Sequence, residues 1–76
     1  MIQELDTIVL THDIPEHDLE QGDIGVIVHL YKNHVAYEVE FVTGEGGTIA
    51  VLTLTNEDVR IMRQREILHV RELVPV

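Results

Sequence analysis

Cysteine and tryptophan are absent from this 76-residue chain, and its aromatic residues are two tyrosines and one phenylalanine. Without cysteine there is no disulfide staple and no thiolate for zinc or iron–sulfur ligation. That absence suits a reducing compartment. The three aromatics are too few for the base-stacking platforms that read RNA. Basic residues are scarce as well, five against fourteen acids, for a formal net charge of −9. Neutralising phosphates with Lys and Arg supplies most non-specific nucleic-acid affinity, so an acidic chain of this kind disfavours nucleic acid. No apolar run approaches the ~20 residues that cross a bilayer. The start, Met-Ile-Gln-Glu-Leu-Asp, lacks the basic flank and apolar core of a signal peptide. These absences lead to the expectation of a soluble cytoplasmic protein. A chain of this length makes one domain with a small core.

The charge that is present is unevenly spread. Residues 1–59 carry twelve acids and the single base Lys32, whereas residues 60–76 carry Arg60, Arg63, Arg65 and Arg71 with two acids. An acidic surface steers a protein towards basic partners. It also serves simply to keep a small protein soluble.

Residues 19–42 organise the rest. Two alternating apolar runs flank Lys32-Asn33-His34, which is a β-hairpin signal. Asn33 is the turn residue best suited to a left-handed conformation. In the run 24–31, Ile24, Val26, Val28 and Leu30 fall on one face and Gly25, Ile27, His29 and Tyr31 on the other. Gly25 within it marks a bulge or a close backbone approach. The next run places Val35, Tyr37, Val39 and Phe41 on one side and Ala36, Glu38 and Glu40 on the other, a half-buried strand with an acidic wet face.

Before the hairpin, residues 5–10 are β-branched and read as a first strand. Residues 11–23 form a polar loop containing Pro15 and Gly22, pinned by Ile14 and Leu19. After the hairpin, residues 43–47 make a glycine turn. Residues 48–54 form a fourth strand, apolar on both faces, whose inward side the periodicity leaves open. Thr55-Asn-Glu-Asp58 resembles a capping box around a single 3-10 turn. Residues 59–62 then form a fifth strand, delivered beside the first to close the sheet. The expected architecture is an all-β, SH3-like five-stranded barrel over residues 1–62, with a C-terminal extension over 63–76. Ile67, Leu68, Val70, Leu73, Val74 and Val76 make that extension too apolar for a free tail. It should bury on the barrel or against a second copy, as an added strand in preference to a helix.

Few residues suggest chemistry. His12-Asp13 and Glu16-His17-Asp18 gather imidazoles and carboxylates in one loop, but no metalloenzyme spacing is present, so a solvated acidic loop without metal is expected. His29 and His34 flank the hairpin turn as solvent-facing groups with a pH-sensitive charge. Glu38 and Glu40 are two apart on one strand face. They read as neighbours on a wet sheet more readily than as an acid–base dyad. No nucleophile motif occurs, and so short a chain rarely encloses a pocket of ~300 Å³. A non-enzyme without cofactor is therefore expected. Tyr37 and Phe41 read as core, and Tyr31 as the surface aromatic, so no groove for proline-rich ligands is expected. The arginine cluster is expected to pair with the chain's own acidic face, within one copy or across a dimer.

Several stretches taken together carry a family resemblance. They are Glu4-Leu-Asp-Thr-Ile-Val-Leu10, Leu19 with Gly22-Asp-Ile-Gly-Val-Ile-Val28, Ala36-Tyr-Glu-Val-Glu-Phe41, and Val51-Leu-Thr-Leu54 with Asp58-Val-Arg60. The chain is similar to the bacterial domain-of-unknown-function 4926 family over about residues 4–60, and its Gly22–Val28 stretch resembles the start of KOW-type barrels. The resemblance implies an SH3-like fold and a bacterial setting, and assigns no activity. The leading functional expectation is a non-catalytic acidic protein-interaction module, an antitoxin- or immunity-like partner of a neighbouring bacterial protein. Its partner-binding residues would be Glu16, Asp18, Glu20, Tyr31, Glu38, Glu40, Arg63 and Arg65, facing a basic protein. The alternatives are an accessory or docking subunit of a larger enzyme, anchored or dimerised through the extension, and a KOW-like nucleic-acid-binding barrel using the arginines.

Overall fold

The computed structural model describes residues 2–73. Five antiparallel strands form one sheet: β1 (Thr7–Leu10), β2 (Ile24–Leu30), β3 (Tyr37–Val42), β4 (Thr48–Leu54) and β5 (Val59–Ile61). The order across the sheet is β4-β3-β2-β1-β5. The last strand therefore lies beside the first, with Leu10 opposite Val59. The predicted all-β class, the number of strands and the placement of the fifth are as expected. No described helix is long and apolar enough to cross a membrane.

Alternation on β3 builds the core. Tyr37, Val39 and Phe41 are sealed from solvent beside Ile8, Leu10 and Ile27. Among the described residues the buried set is hydrophobic, and the one polar side-chain group in it, the Tyr37 hydroxyl, is satisfied by donating to Asn56 Oδ1 at 2.5 Å. The register settles the inward side of β4: Ala50, Leu52 and Leu54 stand opposite Phe41, Val39 and Tyr37, and cross-strand partners share a face.

The turn that swings the chain from β4 to β5 is capped from both ends, as its sequence predicts. Asp58 accepts from the Thr55 amide at 2.8 Å, and Thr55 Oγ1 accepts from the Glu57 amide at 3.3 Å. One i→i+3 bond, Asp58 N–H to the Thr55 carbonyl, closes it. The one-turn 3-10 helices lie elsewhere, at Pro15–His17 and Lys32–His34. The turn is stitched to the end of β1: the Thr11 hydroxyl donates to the Glu57 carbonyl at 2.7 Å, and the Thr11 amide to the Asp58 carbonyl at 2.9 Å.

Gly25 is a close approach and not the bulge. A Cβ there would lie 2.6 Å from Val39 Cγ1 and 3.1 Å from the Glu40 carbonyl. The register shift falls between Ile27 and His29. It sets Leu30 opposite buried Tyr37, so strict alternation misplaces Leu30 with Val26. Strand β1 begins at Thr7, two residues later than its composition suggests, because Leu5 takes φ 70° and is 77 % exposed. Val35 is likewise outside β3 and exposed. Asn33 takes the left-handed conformation expected of it (φ 65°), and in the 43–47 turn Gly46 alone of its glycines has positive φ.

Residues 62–73 form neither strand nor helix, which corrects both readings of the extension. Val74 and Val76 lie outside the described residues. Ile67 (89 %), Leu68 (64 %) and Val70 (90 %) are exposed on this copy of the chain. The segment is held by side-chain charges, as described next, so it needs no backbone ladder.

Candidate interaction surface

The outer face of the sheet carries its acids on β3. Glu38 stands between His29 on β2 and Thr53 on β4, and Glu40 between Val26 and Val51. Both carboxylates lean the same way, towards β4. The Thr53 hydroxyl donates to Glu38, and the Thr48 hydroxyl donates to Glu40 at 2.8 Å. Each glutamate is thus oriented by its own threonine, and no hydrogen bond joins the two. Exposed Val42 and Val51 stand alongside. The face is an acidic row set among short apolar side chains. Tyr31 is 40 % exposed at the hairpin end, its ring edge-on to His29 at 5.0 Å. Tyr37 and Phe41 are core, as expected.

The 11–23 loop spends much of its polarity on itself. Leu19 is buried and bridges to Ile14, pinning the loop as expected. Pro15 opens a one-turn helix that Asp18 ends in a left-handed conformation. Asp13 accepts from the Gln21 amide and Asp23 from the Glu20 amide, both at 2.8 Å. His12 meets two acceptors, the Asp13 carbonyl at 2.8 Å and an Asp58 carboxylate oxygen at 2.7 Å. Satisfying both requires two ring N–H groups, which only the imidazolium has. The Asp58 hydrogen bond accordingly raises the His12 pKa, and His12 in turn lowers that of Asp58. No group of three or more His, Asp or Glu among the described residues is arranged to hold a metal ion. Glu16, Asp18 and Glu20 are exposed. They lie beyond the Leu10–Asp23 end of the sheet, and no hydrogen bond or ion pair links them to Glu38 and Glu40.

The arginines divide into two kinds. Arg60 grips Glu66 with two bonds, 2.8 and 2.6 Å, and Glu66 also accepts from the Arg63 amide. The Arg60 guanidinium, helped by that amide, holds the Glu66 carboxyl down to about 2. Arg71 reaches back to the loop, donating to Asp23 at 2.8 and 2.5 Å and to the Asp18 carbonyl at 2.8 Å, with Glu20 at 3.7 Å. Partial burial pushes the Asp23 pKa up; the Arg71 guanidinium and the Glu20 amide outweigh it and leave it lowered. Arg63 and Arg65 are exposed and make no ion pair among the described residues. The expected pairing with the chain's own acidic face thus holds for Arg71, within one copy, whereas Arg60 pairs with Glu66 of its own segment.

Beside the Arg71 latch lies a groove open to solvent, unlike the enclosed pocket that so short a chain rarely holds. Residues 69–73 wall one side of an open groove of about 550 Å³, with Leu19, Ile24, Phe41 and Ile49 on the other. No local pattern reveals the latch, because Arg71 and Asp23 are 48 residues apart.

A family model described as a domain of unknown function (DUF4926) matches residues 4–61. No curated protein and no solved structure matches the chain.

Proposed function

The chain belongs to the DUF4926 family, and from the surface of this member we propose that it is a non-catalytic interaction module that presents its acidic sheet face to a basic partner protein. One observation carries the reading: Glu38 and Glu40 are held side by side on an outward face by Thr53 and Thr48, on a chain of net charge −9. Hydrogen bonds from the threonines orient the two charges without neutralising them. Exposed Val42 and Val51 add apolar area to the same face. The class of partner this suits is a basic protein of the same cell, in the manner of an antitoxin or immunity protein. Charge of this kind governs encounter rate and its salt dependence more than final affinity.

The test is capture of partners by the tagged chain at low salt, beside the double variant Glu38→Lys/Glu40→Lys. The variant should lose the captured protein and its salt sensitivity. Equal capture by both would remove the sheet face from consideration.

A second reading is favoured by the exposed Ile67, Leu68 and Val70: an accessory subunit docked on a larger enzyme through its extension. Deleting residues 63–76 would then abolish assembly and leave the sheet folded. Nucleic-acid binding draws less support, since Arg60 and Arg71 are engaged by carboxylates.

A further inference from the structure

The two edges of the sheet are β4 and β5. Strand β5 has three residues, a length that offers little to a foreign strand. Strand β4 has seven, Thr-Ile-Ala-Val-Leu-Thr-Leu, with no charge, proline or glycine. It pairs with β3 on one side. Among the described residues no backbone group of β4 bonds to anything on the other side. Alternate N–H and C=O groups of an edge strand point outward, ready to accept another strand. Proteins commonly guard such an edge with lysine, proline or an inward charge, and β4 has none of these.

The carboxylates beside it decide what fits. Glu38 and Glu40 lean over β4 through their bonds to Thr53 and Thr48. A second copy added at this edge would keep its own Glu38 and Glu40 on its β3, three strand spacings or about 14 Å from this pair, so their like charges would repel and nothing there would attract. A basic strand turns the same geometry into attraction, because Lys and Arg side chains on the row beside β4 reach over short Val51 and Thr53. The other face of the added strand would meet Ala50, Leu52 and Leu54, the core-side row of β4. Apolar residues are required there.

We propose that β4 is a strand-addition site for an extended segment of a partner protein in which Lys or Arg alternates with small apolar residues. This deepens the acidic-face reading and rests on it, adding the backbone edge as the element that holds the partner and the alternation as what it recognises.

The probe is a synthetic peptide of alternating lysine and valine, about eight residues long, to span the edge. One control carries the same residues with the lysines in one block. The other carries N-methyl groups on alternate amides, which keeps every charge and removes the donors of one edge. Titrated into the full chain, the alternating peptide should bind and slow amide exchange along Thr48–Leu54. The block control should bind more weakly, and N-methylation should cost about tenfold or more, as expected when main-chain bonds supply the affinity. Equal binding of parent and N-methylated peptides would overturn strand addition. So would a dimer of the free chain with its β4 amides already protected. If the charge-reversal variant loses its partner while N-methylation has no effect, the acidic-face reading stands and the edge proposal falls. If charge reversal changes nothing, both fall.

Discussion

Phe41 and Val39 on β3 are sealed from solvent, whereas Ile67 and Val70, no less apolar, are about nine-tenths exposed. The first pair belongs to a sheet whose described core is built from hydrophobic residues. The second pair belongs to a segment held to that sheet by Arg60–Glu66 and Arg71–Asp23. One region is stabilised by apolar area removed from water, the other by exposed or half-exposed ion pairs. Burial of a large side chain contributes several kcal/mol, and an exposed pair contributes ~0–1 kcal/mol. The sheet should therefore unfold as a unit, and residues 62–73 should open at much lower cost.

The sharpest contrast is truncation on each side. Phe41→Ala should destabilise the chain by ~3–5 kcal/mol, and Val70→Ala by less than about 0.5 kcal/mol, both read by denaturant unfolding. Similar values for the two would show that the extension is buried in solution. Next comes Gly25→Ala, which places a Cβ against Val39, Phe41 and the Glu40 carbonyl. Because one of these neighbours is backbone, the clash should cost ~1–3 kcal/mol. An unchanged unfolding midpoint would mean that β2 and β3 separate more easily than their register suggests.

Smaller effects attach to the turn and the latch. Asp58→Ala removes the acceptor for the Thr55 amide and the partner of His12, and should cost about 1 kcal/mol, the usual worth of a cap. His12 has its folded pKa raised. Its contribution is complete below the ordinary value near 6.5 and is lost as pH rises through the raised one. In the Asp58→Ala variant that loss should shrink in a plot of Tm against pH, since only Asp13 is left to raise the His12 value. Glu66 behaves in the opposite sense. Its folded value is about 2 against an ordinary 4.5, so its contribution is present above 4.5 and fades as pH falls towards 2. Arg71→Ala should change global stability by only ~0–1 kcal/mol. It should nonetheless speed proteolysis within residues 62–73, and a tail equally resistant without Arg71 would mean that something else holds it.

Local patterns carried much of the sheet. Alternation identified Tyr37, Val39 and Phe41 as core and Glu38 and Glu40 as outward. The apolar run between the glycine turn and the Thr55 cap marked β4 to the residue, and the Thr55–Asp58 spacing announced its own cap. Each depends on neighbours two or three residues apart. The candidate surface was legible in its acids but not in their direction, since Thr48 and Thr53 reach them only through the β3–β4 register. Leu5 and Leu30 misled because a positive φ and a bulge interrupt the pattern. The extension misled because apolar composition was taken to require a regular element.

By itself the sequence determined the class of fold, the sign of the surface and most of the core. Those follow from side-chain period and from charge, which are properties of short windows. Tertiary structure alone decided which side of β4 faces inward, which arginines are spent on the chain's own acids, and that β4 is a long edge without a strand partner on its outer side among the described residues. Each of those depends on residues far apart in sequence being brought within a few ångströms, and only the strand register and the folding back of the extension bring them there.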